Sequence, residues 1–268
     1  MKMRRFFILL ITISVCYFSP LTVAGQSTPV SSSDSARSLL LVPDTVQHLR
    51  SKFVALIPPA ALISYGALSF AIKPIRNLDY SIHNDVERHN PNFSNTIDNY
   101  LQYAPVVSVY ALNLAGIKSK NSFIDRTILL ILSESIFLGA TSILKETTNR
   151  LRPDASNYLS FPSGHAGNAF TSAEFMAQEY AGVSPWYGVT GYSFATATAI
   201  LRVYNDKHWF SDIIAGAGFG ILSTKAAYLI YPLLRDHLFR GKTKKDSNVI
   251  LLPAYKGGTV GFTLVKTL

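Results

Sequence analysis

Six apolar segments divide residues 53–234 of this 268-residue chain, and they constrain its fold more than any other feature. They are FVALIPPAALISYGALSFAI (53–72), YAPVVSVYALNLAGI (103–117), TILLILSESIFLGATSIL (127–144), AGNAFTSAEFMAQEYAG (166–182), WYGVTGYSFATATAIL (186–201) and FSDIIAGAGFGILSTKAAYLIYPLL (210–234). Each is long enough for several helical turns, and their Ala, Gly and Ser residues suit close helix packing in membrane or in water. The first segment has the length to cross a bilayer, and Pro58 and Pro59 are expected to kink it. The fourth carries Glu174, Gln178 and Glu179, which makes it a poor lipid-facing helix. No period of 20 to 50 residues repeats, so an array fold is not expected.

The termini read differently. Lys2, Arg4 and Arg5 precede the run FFILLITISVCYF, and small residues follow at 23–25; residues 1–25 have the form of a signal peptide, with an uncleaved anchor as the alternative. The single cysteine, Cys16, lies inside that segment, so a processed chain has no thiol for a disulfide or a thiolate metal site. Removal leaves 22 basic against 16 acidic residues. Residues 26–38 are polar and low in complexity, a flexible linker. A helical domain is expected over 39–245. The tail 246–268 places Lys256-Gly257-Gly258 between two β-prone runs and reads as a β-hairpin.

Three clusters of polar residues stand at segment boundaries. Lys145 and Arg152 are seven apart, nearly two helical turns, so on a helix both cations share a face and suit an oxyanion. Charges that offset a helix dipole fit the same pair. In FPSGHAGNAF (161–170), Ser163 is a good N-cap, Gly164 admits close backbone approach, and the helix start offers N–H groups to an anion. His165 stands beside them, placed either to pass a proton or simply to face solvent. In RVYNDKHWFSD (202–212), His208 and Asp212 are four apart, with Arg202 just before. A carboxylate on one ring nitrogen leaves the other free for attack, although a structural pair has the same spacing.

Taken together, KETTNRLRP (145–153), PSGH (162–165) and LRVYNDKHWFSD (201–212) resemble the three motifs of the type 2 phosphatidic acid phosphatase superfamily, with every spacing matched. Leu201 departs from the serine usual there, which removes one hydroxyl contact near the phosphate. The resemblance implies an all-α, six-helix bundle, membrane-associated, acting as a phosphoric monoester hydrolase without metal or other cofactor. It implies that Lys145, Arg152, Arg202, the Ser163 hydroxyl and the Gly164 N–H hold phosphoryl oxygens. His208 would attack phosphorus, Asp212 would orient His208, and His165 would protonate the leaving oxygen and later activate water.

No HExxH, paired cysteines or acidic cluster of ligand spacing suggests a metal. The basic charge is not gathered with aromatics into a nucleic-acid motif, and Arg240–Lys245 reads as a membrane-surface or topology signal. If all six segments span, the catalytic loops lie opposite Lys118, Lys120 and Arg126, which makes them periplasmic. A cleaved signal peptide would invert that layout, so either residues 5–24 stay or some segments do not span. The expected partner is a phosphorylated lipid in a bacterial cell envelope: phosphatidic acid, phosphatidylglycerophosphate, lipid A or a polyprenyl pyrophosphate. The alternatives are a soluble secreted acid phosphatase, a vanadate-dependent haloperoxidase of related fold, and a non-enzymatic membrane scaffold.

Overall fold

Pro58 and Pro59 start a helix instead of bending one. In the computed structural model, which describes residues 53–239, 249–256 and 259–266, a 3-10 turn over Phe53–Leu56 leads into α1 (Ile57–Leu68) with proline in its first turn. A missing N–H costs nothing there, because the first turn has no carbonyl to give it to. The break comes later, at Ser69–Ile72, and α2 (Lys73–His89) leaves at 85° to the preceding helix. The signal segment, the linker, the run Arg240–Lys245 and the glycines 257–258 lie outside the described residues.

After α2 come a single turn, α3 (Asp98–Leu101), then α4 (Ala104–Leu114), α5 (Phe123–Thr148), α6 (Gly164–Tyr180), α7 (Pro185–Tyr204) and α8 (Phe210–Phe239). The described residues therefore hold eight α-helices, not the six expected. The added two are α2 and α3, polar helices that hydropathy does not mark. Two strands, β1 (Val249–Lys256) and β2 (Thr259–Lys266), pair antiparallel with Val249 opposite Lys266. The chain divides into two compact units at Leu229 and Ile230.

In the first unit α6 is the central helix, buried along nearly its whole length. Its alanines 166, 169 and 173 pack with Ala195 and Ala199 of α7 and with Ile213, Ile214 and Ala217 of α8. Small residues allow the helices to come together at backbone range. A Cβ on Gly216 would lie 2.5 Å from the Ser163 carbonyl, and one on Gly220 would overlap the Gly167 carbonyl. The charges that make α6 unsuited to lipid are satisfied inside: Glu174 accepts from Lys225 at 2.7 Å and from Tyr192, and Glu179 accepts from Asn121 at 2.6 Å and Tyr228 at 2.5 Å.

Among the described residues, α5 and α8 (as Phe210–Arg235) are long and apolar enough to cross a membrane, with α1 and α2 together a third, bent candidate. On α5, Ile131, Leu138 and Ile143 are 56–65% exposed, apolar side chains left uncovered among the described residues.

Candidate active site

Lys145 lies in the last turn of α5, but Arg152 does not continue that helix. Asn149 adopts a left-handed conformation (φ 45°) and ends it, so the two cations meet through a loop and not along one helical face. The loop folds back on itself: Ser160 donates its N–H to Arg150 O (3.0 Å) and Arg152 donates to Asn157 O (3.0 Å). It is strapped to the α7–α8 connection by Trp209 Nε1 donating to Leu151 O (2.8 Å) and Lys207 pairing with Asp154 (2.6 Å). Ser163 caps α6, accepting from Ala166 N at 3.4 Å, as its sequence position suggested. Its own N–H donates to Asp212 O at 3.0 Å, which joins the second and third motifs. Gly164 faces the first: a Cβ there would sit 3.9 Å from Lys145 Cε.

His208 is buried between these segments. Its Nδ1 lies 2.7 Å from the carbonyl of Ser160, whereas Asp212, the partner suggested by the i,i+4 spacing, stands 3.9 Å away. A carbonyl only accepts, so Nδ1 carries the proton and Nε2 keeps its lone pair. Burial pushes His208 down to about 4, with the Asp212 charge opposing that shift and Lys145 and Arg202 adding to it. The imidazole is therefore neutral at pH 7. Asp212 is fully enclosed; it accepts from Arg150 Nη1 (2.6 Å), Ser160 Oγ (2.5 Å) and Trp209 N (3.0 Å). Arg150 in turn holds Asp79 of α2 at 2.7 Å and donates to Ser211 Oγ at 2.9 Å.

Lys145 and Arg202 act on both histidines. Burial brings His165 down to about 4 as well, and Arg202, Arg152 and Lys145 push the same way while Asp98 opposes them. Burial and Arg202 also lower Arg152. Arg152 and Arg202 each bury an Nε–H without a hydrogen-bond partner among the described residues, an arrangement that favours an incoming oxyanion. Lys145 Nζ donates to Leu159 O at 2.7 Å. Arg202 Nη1 is held by Asp98 Oδ2 at 2.8 Å, and His165 Nε2 by Asn99 Oδ1 at 2.8 Å.

All eight residues singled out from the sequence thus border one region where α5, α6, α7 and α8 begin or end. Sequence reasoning missed Asp79, Asp98, Asn99, Arg150 and Ser160. A second arginine inside the first motif hinted at Arg150; the others carry no spacing signal. Outside this cluster, His83 has a carboxylate partner in Asp206 at 2.7 Å.

Residues 126–236 match the model of the PAP2 superfamily. A lipid A 1-phosphatase of Porphyromonas gingivalis is 35% identical over 152 residues, covering 56% of this chain and 33% of the relative, so the chain spans about a third of that protein's length. A crystal structure of a transmembrane PAP2-type phosphatidylglycerolphosphate phosphatase from Bacillus subtilis aligns at 22% identity with a TM-score of 0.48, over 72% of this chain and 97% of that one. The three motifs that line this cation-rich site all lie within residues 126–236, the part of the chain that is similar to the PAP2 superfamily.

Proposed function

We propose that this chain is a metal-independent phosphatase that hydrolyses a phosphate ester or pyrophosphate of a membrane lipid at the cell envelope, through a phosphohistidine on His208. The observation that carries this reading is a buried neutral imidazole, its Nδ1 proton held by Ser160 O, in the field of Lys145 and Arg202, which also act on His165.

Lys145, Arg152 and Arg202, with the Ser163 hydroxyl and Gly164 N–H, bind the phosphoryl oxygens and offset charge in the transition state. His208 Nε2 attacks phosphorus in line with the leaving oxygen. The bond from phosphorus to that oxygen breaks as His165 delivers a proton to it. An arriving phosphate dianion offsets the three cations and raises His165 from about 4 towards the range where it can carry that proton. In the second half, neutral His165 takes a proton from water, the hydroxide attacks phosphorus, and phosphate leaves His208 restored. Asp212 stabilises the charged imidazole through space.

The exposed apolar residues of α5 support a lipid substrate: with that face in a bilayer, the Lys145 end of the helix would lie at the membrane surface. The activity of the Porphyromonas relative supports a lipid headgroup phosphate. Lys118, Lys120 and Arg126 lie at the opposite end of α5, and the positive-inside rule then favours a periplasm-facing site.

The test is phosphate release from phosphatidic acid, phosphatidylglycerophosphate, lipid A and soluble esters by detergent-purified protein with EDTA present. Release from a lipid is expected, with His208→Ala and His165→Ala each reducing it below about 1% of wild type at unchanged thermal midpoint. Wild-type release by either variant removes the role assigned to that histidine; release only from soluble esters favours a secreted acid phosphatase.

A further inference from the structure

We propose that the consecutive pair Asp98 and Asn99 is a positioning device for this reaction, with Asp98 setting the guanidinium of Arg202 and Asn99 setting the tautomer of His165. The inference rests on the phosphatase reading and adds residues that lie outside residues 126–236 and outside all three motifs.

A four-residue helix cannot hold itself together in isolation. α3 is held from both sides by the helices that carry the two groups it touches. Gln102, at its end, meets the side-chain amide of Asn168 of α6 at 3.0 Å. Asn205, at the end of α7, makes reciprocal bonds with the backbone of Asn95, at 2.9 and 2.7 Å. The same turn therefore spans His165 on α6 and Arg202 on α7.

Each contact has a specific consequence. Asp98 is only 1% exposed and takes one terminal nitrogen of Arg202, at 2.8 Å; this fixes the guanidinium plane and leaves Arg202 Nε–H for another acceptor. Asn99 Oδ1 is an acceptor, so His165 Nε2 must be the donor, and the neutral ring is held with its proton on Nε2. Because Asn99 is uncharged, it selects a tautomer without drawing a second proton onto the ring. The charged groups facing that ring are Arg202 from α7, Asp98 from α3, Arg152 from the loop and Lys145 from α5. A carboxylate at position 99 would alter that balance.

The experiment uses the full chain in detergent micelles with ¹⁵N-labelled histidine, the His165 signals being assigned by their loss in His165→Gln. Wild type is expected to show His165 protonated at Nε2 at pH 7, and Asn99→Leu a mixture of both tautomers. Asn99→Asp, equal in size, is expected to raise the His165 titration midpoint by roughly one unit or more. In turnover, Asn99→Leu lowers kcat about tenfold with KM little changed, and Asp98→Asn raises KM for the phosphate ester. A merely structural tether would lower thermal stability and leave both tautomer and midpoint where they were. That result in both Asn99 variants overturns the proposal. Tautomer changes as expected, with no phosphate released by wild type from any substrate, overturn the phosphatase reading instead.

Discussion

Asp212 spends both its oxygens on neighbours other than His208, and Arg150 supplies the closest positive charge. Two buried carboxylates, Asp79 and Asp212, share that one guanidinium, whose side chain is 3% exposed. Replacing it by Arg150→Leu leaves both carboxylates enclosed without a cation, and should cost about 3–5 kcal/mol, read as a lowered thermal midpoint in detergent. Arg150→Lys should recover only part of this, because an ammonium cannot serve both acids with a planar fork. The two arginines of the first motif look alike in the sequence. Arg152 was legible as an oxyanion ligand through its spacing to Lys145, while Arg150, two positions earlier, gave no sign that it is the enclosed one. Asp98 and Asn99 were less legible still. They lie 104 and 66 residues from the groups they hold, and tertiary folding alone selects such partners.

Among elements, the seam between α6 and α8 sets how closely the second and third motifs approach. Gly220→Val forces branched carbons into the Gly167 carbonyl and the Thr171 N–H, so α8 must move away. The expected result is a lowered thermal midpoint and a kcat loss of about tenfold or more, although residue 220 is some two turns from Asp212. Gly182→Val, where a Cβ would meet nothing within 4 Å, is the control and should change neither. Close packing here was readable from the small residues in the fourth and sixth segments. The interior position of α6 was readable from its acids, which charge would not allow against lipid. The course of the first motif was not, since a seven-residue spacing suits a helix until an asparagine stops it at 149. Nor were α2 and α3, whose polar sequences matter through the few side chains they send inward.

For the whole molecule, the feature that bears on location is the exposed apolar face of α5. The full chain should sediment with membranes and resist high salt and carbonate, and should be released by detergent. Release into buffer alone would remove the lipid-surface assignment. The helical class and the clustering of chemistry at segment ends were evident from hydropathy and motif spacing. The number of helices was not, because hydropathy reports apolar runs and passes over a polar helix. The link from Ser163 N–H to Asp212 C=O has a consequence for how such a fold can change. Main-chain atoms make it, so no exchange of side chains short of proline at 163 takes it away. Pocket walls can therefore be remodelled for a new headgroup while the interval between the two imidazole-bearing segments passes unaltered to each descendant.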